Sequence, residues 1–408
     1  MRDQILSAFD VSSRKISAAV ARLSRDKTMH IVGVTETPTQ GMRRQVITNI
    51  EEVSHSISIC ADRLSQMTGI KLTHAIFSVS GKHIQSFNHS GAIAITPSDR
   101  DITMDDVNRV IDIAGAMTLD SDRNILALAP RTYTLDGMSG IKNPIGMAGH
   151  KLEVEAHIIT GITAAQRNLV KCANSARITV DELVVSGLAS AEAALSPGER
   201  DMGVTLIDIG AGSSDVVVFS DGGPIQTFAL DEAGDLITDD IAYGLRLPST
   251  VAEQLKITFG AAGGEHISRA EMIDLSQFLP DCHEVVSRYD LAERIILPRI
   301  EEILLHIRDE IYGQGFDQRF AGGIVITGGT AKLAGITELA AKIFNAPARI
   351  GAPHSVYGMT DAFTNPSYAT VIGLLRWQEQ ILANDTVNSG NNFLQNAMQR
   401  IKFMFGLL

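Results

Sequence analysis

The run Asp208-Ile209-Gly210-Ala211-Gly212-Ser213-Ser214-Asp215 combines carboxylates, hydroxyls and glycines at the tip of a predicted hairpin. Apolar strands flank it on both sides, Val204-Thr-Leu-Ile before and Val216-Val-Val-Phe after, which excludes the strand-to-helix dinucleotide fingerprint. Glycines at such a tip free the backbone for positive φ and bring several N–H groups to one point, a nest for phosphate oxygens. A carboxylate at the strand end, Asp208, suits a Mg²⁺ held through water. Two further signals follow in the chain. Glu253 and Lys256 stand three residues apart, on one face of a predicted helix. Thr327-Gly328-Gly329-Thr330 lies between a strand and a predicted helix Leu333–Phe344, where a nucleoside meets bare backbone near a helix N-terminus. Taken singly, each has an ordinary alternative: a glycine-rich hairpin, a surface ion pair, a tight turn.

The elements that must hold these residues read as two similar halves. Ile5–Val34 alternates apolar and polar residues and resumes twice, which predicts a three-strand meander with Asp10 at its first turn. A second meander opens at Val204, so Asp10 and Asp208, 198 residues apart, occupy equivalent strand–turn–strand contexts, the mark of a duplicated fold. Glu51–Gly69 carries a helical apolar stripe, and Ala75–Gly81 a buried strand. Residues 83–161 change character. Short strands flank a helix near Met104–Met117, and a Gly/Pro-rich loop, Gly137–Gly149, separates the last two, which predicts a small inserted α+β module. A helix Thr163–Ala176 and a strand Asp181–Ser186 lead to the small-residue segment after Gly187, a boundary between halves. Helical stretches from Gly234 to Ile311 and a last helix Ser367–Leu382 complete the pattern.

Composition narrows the function classes. With 408 residues the chain holds two to four subdomains, and 45% apolar with 20% charged residues is a globular composition. The net charge of −12 argues against general nucleic-acid binding. Cys60, Cys172 and Cys282 lack metal-ligand spacing and read as reduced cytosolic thiols. The histidines, His83, His89, His150 and His157 among them, show no ligand spacing, and no twenty-residue apolar span or secretion signal is evident.

The three motifs in this order match the layout of the actin/Hsp70/sugar-kinase superfamily. Within it the chain resembles the FtsA family of bacterial cell-division proteins, on Ser80-Gly-Lys-His-Ile84, Gly140-Ile-Lys-Asn-Pro-Ile-Gly146, Ser186-Gly-Leu-Ala-Ser190 and Ile350-Gly-Ala-Pro353. The resemblance implies an α/β, duplicated actin-like (ribonuclease-H-like) two-domain fold with an inserted small α+β subdomain and a C-terminal amphipathic helix. It implies subdomain 1A over 1–82, 162–190 and part of 360–382, the inserted subdomain 1C over 83–161, 2A over 191–233 and 312–360, and 2B over 234–311. It implies ATP and Mg²⁺ as ligands, with Asp10, Ser12, Ser13 and Lys15 on a first phosphate loop and Asp208, Gly210, Gly212, Ser213 and Ser214 on a second. Gly234, Glu253, Lys256, Gly328, Gly329 and Thr330 fall on the adenosine side, with Asp10 and Asp208 holding Mg²⁺ through water. The implied partners are the FtsZ C-terminal peptide, received near Arg288, further copies in actin-like filaments, inner-membrane lipids and later division proteins, on the cytoplasmic face at the division site.

The chain departs from that pattern twice. Where relatives read Gly-x-Asp/Glu-x-Gly-Thr/Ser-x-Lys, it reads Ala8-Phe9-Asp10-Val11-Ser12-Ser13-Arg14-Lys15, so both glycines are replaced. A left-handed Ser12 would cost about 1–2 kcal/mol; otherwise the turn is remodelled. Where Hsp70 has Gly-Glu-Pro, the chain has Gly187-Leu188-Ala189, with no base to orient water and Glu192 expected as a surface or paired glutamate, which predicts weak hydrolysis at most.

The last sixteen residues, 393–408, follow a polar linker, Ala383–Asn392. Phe393, Leu394, Met398, Ile401, Met404, Phe405 and Leu408 recur at helical spacing, while Arg400 and Lys402 give the other face a basic character with no acid. That pattern predicts a helix lying in the headgroup plane of a membrane.

Overall fold

The computed structural model describes residues 4–385, apart from 25, 27, 98–99, 281, 316–320, 355–356 and 359–363. The predicted membrane residues, Phe393 to Leu408, lie outside the described residues.

The chain opens with strands β1 (Gln4–Val11), β2 (Lys15–Leu23) and β3 (Met29–Pro38), a small hairpin of β4 (Met42–Arg43) and β5 (Val46–Ile47), helix α1 (Ile50–Thr68) and strand β6 (His74–Val79). An inserted unit follows: β7 (Gln85–Ala94), α2 (Met104–Gly115), β8 (Arg123–Leu135), β9 (Met138–Ile141) and β10 (Lys151–Ile162). Then come α3 (Thr163–Ser175), β11 (Thr179–Val185), α4 (Ser186–Ala194) and α5 (Pro197–Met202). The second half begins with β12 (Val204–Ile209), β13 (Ser214–Ser220) and β14 (Gly223–Leu230), then α6 (Gly234–Leu245) and α7 (Ser249–Phe259). It continues through β15 (Met272–Asp274), β16 (Val285–Ser287), α8 (Arg288–Asp290), a π-helical turn Leu291–Ile296 and α9 (Leu297–Gly313). The remaining elements are β17 (Ile324–Thr327), α10 (Ile336–Phe344), β18 (Ala348–Ile350), β19 (Tyr357–Gly358) and α11 (Ala369–Asp385).

The duplication is visible in sheet order. One sheet runs β11-β6-β1-β2-β3-β19 and the other β14-β13-β12-β17-β18. In each, a three-strand antiparallel meander pairs through its first strand with a later parallel strand, β1 with β6 and β12 with β17. That first strand is therefore central, and burial on both faces follows. Along β1, Leu6 and Ala8 enter one core, and Phe9 and Val11 the opposite one. Ser7 tolerates burial because its hydroxyl donates to the carbonyl of His74, 2.6 Å away.

Between the two sheets lie α4 and α11. All nine residues of α4 are buried, and the small-residue composition that suggested a boundary lets backbone meet backbone. A Cβ at Gly373 of α11 would fall 1.7 Å from the carbonyl oxygen of Ala189, so only glycine fits that crossing. One continuous core joins the halves here, taking in Leu188, Phe219, Val325 and Trp377.

Several expectations need correction. The Gly137–Gly149 segment contains strand β9, paired with β8, because a left-handed Asp136-Gly137 turn folds it back. The 234–311 region is interrupted by the β15–β16 hairpin. The helix predicted from Leu333 begins at Ile336, after a left-handed Gly335. The last helix runs to Asp385, into the first residues of the predicted linker.

Candidate functional site

The two meanders present their first hairpins to one another, and a cleft of about 350 Å³ opens between them. Eleven of the predicted residues line it: Asp10, Ser12, Lys15, Asp208, Gly210, Ser213, Glu253, Lys256, Gly328, Gly329 and Thr330. The others stand behind the wall. Ser13 bonds Gln45, the Ser214 hydroxyl donates to the carbonyl of Glu232 at 2.6 Å, and the Gly234 N–H donates to the carbonyl of Gly210. Gly212 is pressed against Ser13: a Cβ there would lie 2.2 Å from the Ser13 hydroxyl oxygen.

At the floor lie three carboxylates, Asp208 and Asp215 buried and Asp10 half-buried, each tied to a hydroxyl from a different element. Asp10 accepts from Ser78 at 2.7 Å, Asp208 from Ser190 at 2.5 Å and Thr370 at 3.0 Å, and Asp215 from Ser80 at 2.7 Å. Burial raises Asp10 to about 6 against the Ser78 bond, with Asp208 adding its repulsion. Burial also raises Asp208. Asp215 is pushed up to about 8, by burial first and by Asp208 next. Carboxylates that repel one another in a desolvated floor suit a cation. Among the described residues, no group of three or more His, Cys, Asp or Glu is gathered for direct ligation, so the donor set fits a hydrated cation held through water.

The other end of the cleft is built on α6 and α7. Lys256 lies 2.8 Å from Glu253 and donates to the carbonyl of Gly234 at 2.9 Å and to Thr238. Both members are largely buried, so this is not a surface pair, and burial lowers the Lys256 pKa against the pull of Glu253. Ile257, Gly260 and Leu333 supply an apolar wall beside it. Arg14 reaches from the first half across the cleft to Asp235, at 2.9 Å from Nε, and to Glu253 at 3.7 Å.

The geometry revises the reasons for several residues. Gly210 and Gly212 are not in the left-handed region; Gly212 is required by close approach of Ser13 and not by φ. Ser12 is not left-handed either. Its turn closes by N–H and hydroxyl bonds to the carbonyl of Lys15, at 3.2 and 2.8 Å. Gly328 does need φ +87, and a Cβ there would strike Asp208. Gly329 and Thr330 lead into a 3₁₀ turn, Thr330–Lys332, so they do not cap α10, and Thr330 donates to the carbonyl of Gly210. Lys15 pairs with Glu36 at 2.7 Å. Arg288 is held by Glu271 at 2.6 Å and by the carbonyl of Phe259.

Sequence reasoning passed over Asp215, Gln45, Lys332 and Ser80. Asp215 had a signal: it stands at the start of β13, in the position equivalent to the first hairpin's Ser17, and it closes the same acidic, hydroxyl-rich run as Asp208. Gln45 and Ser80 had none, since only folding brings them to the hairpins.

Comparison with known proteins bears on this geometry. A family model described as cell division protein FtsA matches residues 205–373, and a model of the SHS2 domain inserted in FtsA matches residues 81–160. The cell division protein FtsA of Pseudomonas aeruginosa is 34% identical over 374 residues, covering 92% of this chain and 89% of that protein. That of Borreliella burgdorferi is 36% identical over 381 residues, covering 93% and 92%. The chain belongs to the FtsA family. Solved structures carry the fold beyond it. The PilM–PilN type IV pilus biogenesis complex superposes with a TM-score of 0.63 at 14% identity, covering 91% of this chain and 97% of that one. MreB5 of Spiroplasma citri bound to ADP superposes with a TM-score of 0.56 at 13% identity, covering 95% and 99%. The actin-like α/β fold and the FtsA-type insertion are thereby established. No helix among the described residues is long and apolar enough to cross a membrane.

Proposed function

We propose that this chain is an ATP-binding, actin-like division protein that assembles into filaments on the cytoplasmic membrane and tethers FtsZ polymers there, recruiting later division proteins through the inserted unit at 83–161. The observation that carries the reading is the meeting of both hairpins and the Gly328-Gly329-Thr330 turn on one cleft, in a chain of FtsA-family sequence throughout. Ser12, Gly210 and Ser213 face the phosphates, with Ser13, Gly212 and Ser214 shaping the two loops from behind; Glu253, Lys256, Gly328, Gly329 and Thr330 face the adenosine side, with Gly234 behind them. Asp10 and Asp208 hold a hydrated Mg²⁺, which neutralises phosphate charge when bound. Lys15 exchanges Glu36 for phosphate.

ATP acts chiefly as a ligand for conformation and assembly. Glu192, the one acid near the Gly187 turn, is taken by Arg200 at 2.7 Å and Gln380 at 2.8 Å and does not line the cleft. Asp215, which does line it, favours a second reading as an active ATPase or phosphotransferase. Turnover of Mg-ATP above roughly 1 s⁻¹, an ordinary enzyme rate, would select that reading.

Membrane attachment rests on Phe393, Leu394, Met398, Ile401, Met404, Phe405 and Leu408, with Arg400 and Lys402 toward anionic headgroups. Arg288 receives the acidic FtsZ peptide by exchanging Glu271. The test is co-flotation of FtsZ polymers with anionic vesicles in Mg-ATP. The full chain should carry FtsZ to the vesicles, and a full-length variant with Phe405→Glu and Leu408→Glu should leave both in solution. Equal flotation by the variant removes the membrane claim.

A further inference from the structure

We propose that Gln45 reads the terminal phosphate of the bound nucleotide and so separates ATP from ADP; this rests on the nucleotide reading above. The starting observation is the turn of the β4–β5 hairpin. Arg44 and Gln45 are both left-handed, with φ of 46° and 61°, in a two-residue turn whose geometry ordinarily selects Asn-Gly. Two successive non-glycine residues there are strained, because each Cβ crowds the following carbonyl oxygen. The hairpin is only two residues per strand, so it has little pairing of its own to hold that conformation.

What holds it is the phosphate end of the cleft. The Gln45 N–H donates to the Ser13 hydroxyl at 2.8 Å. With its lone pair so engaged, that hydroxyl turns its own proton to Gln45 Oε1, at 3.3 Å. The Cα of Arg44 lies 3.2 Å from where a Gly212 Cβ would stand. The hairpin tip thus seals the seam where the first loop, through Ser13, meets the second, through Gly212. This seam is on the phosphate loops, away from the Lys256, Gly260 and Leu333 wall of the nucleoside end.

The side-chain amide is oriented by that clamp. Its oxygen is taken by Ser13, and its Nε2 has no hydrogen-bond partner among the described residues, although Gln45 lines the cleft. A neutral group with two free N–H donors at the closed end of a phosphate cradle suits anionic oxygens and leaves the carboxylate floor undisturbed. On the nucleotide reading this end faces the last phosphate, so a donor here bears on the triphosphate more than on the diphosphate. The strain of the turn is then the cost of aiming that amide, the usual association of unfavourable backbone with ligand clamps.

The test is equilibrium binding of Mg-ADP and of a Mg-bound non-hydrolysable ATP analogue to the full chain, set against Gln45→Ala and Gln45→Gly. Both variants should lose roughly tenfold in affinity for the triphosphate, the loss of one hydrogen bond to a charged group, and stay within about twofold for ADP. Gln45→Gly should also unfold at higher temperature than Gln45→Ala, which shows that the loss of discrimination does not come from a damaged turn. Equal changes for the two nucleotides, or no change for either, overturns the role of Gln45 while nucleotide binding stands. Failure of the unaltered chain to bind either nucleotide removes the cleft assignment and this inference together.

Discussion

The two hairpins facing each other across the cleft share a register and a closing bond, from the Ser12 N–H to the carbonyl of Lys15 at 3.2 Å and from the Gly210 N–H to the carbonyl of Ser213 at 3.0 Å, and differ in their side chains. Asp10 sits opposite Ser17 on β1–β2, and Asp208 opposite Asp215 on β12–β13, so each turn spans the same number of residues. In the first hairpin the Ser12 hydroxyl adds a second bond to the carbonyl of Lys15, at 2.8 Å. In the second, position for position, Gly210 replaces Ser12 and Gly212 replaces Arg14. Arg14 sends a side chain across the cleft to Asp235, whereas Gly212 can have none because Ser13 occupies the space. The third difference is charge. The second hairpin carries Asp215 where the first carries Ser17, so the floor has an odd carboxylate on one side. Duplication kept the backbone, and the two loops then divided the work: one projects and ties, the other yields space and holds charge.

Gly212→Ala should separate the hairpins most. Its Cβ cannot share space with the Ser13 hydroxyl, so the loops must part, at about 1–3 kcal/mol in stability and with more than tenfold weaker nucleotide binding. Denaturant unfolding and calorimetric titration check this; an unchanged midpoint would mean that the loops do not touch in solution.

A smaller effect is expected from pH. Asp215 keeps its proton to about 8, above the ordinary carboxyl value of 3.8, so between those values the folded chain binds more protons than the unfolded one. Stability of the nucleotide-free protein therefore falls as pH rises through this window. Asp215→Asn should flatten the slope of melting temperature against pH by roughly a few degrees between pH 5 and 8, while Ser17→Ala in the equivalent position should leave it unchanged. An equal slope in Asp215→Asn would place the proton on another group.

Ser12→Gly should do least. Because Ser12 is not left-handed, glycine relieves nothing, and only the hydroxyl bond to Lys15 is lost. Stability should drop by about 0.5–1 kcal/mol and ATP affinity should stay within about threefold. A large gain in affinity would show that the first loop is strained in a way its backbone does not reveal.

Much of this was legible from residue order alone, and the limits are physical. Period-two apolar runs and the recurrence of a carboxylate at a strand end specified the paired meanders, because a strand's faces are set locally. Local motifs marked Asp208, Gly210, Glu253, Lys256 and Gly328 singly, and the family resemblance assigned them to one site, where the cleft has them together. It failed where a residue's reason lies in a distant segment. Gly212 is a glycine on account of Ser13, and Gly373 on account of the Ala189 carbonyl. Asp215 is pushed up to about 8 by its own burial, with Asp208 and then Asp10 adding their repulsion, and Gln45 enters the cleft because Ser13 catches a hairpin tip thirty-two residues away in the chain. Sequence determined the fold, the family and most of the residues of the cleft, since these follow from periodicity and motif. Which glycines had to be bare, which carboxylate was pushed up furthest and which amide reached the cleft were decided by packing, since close approach and desolvation arise only when remote segments share one space.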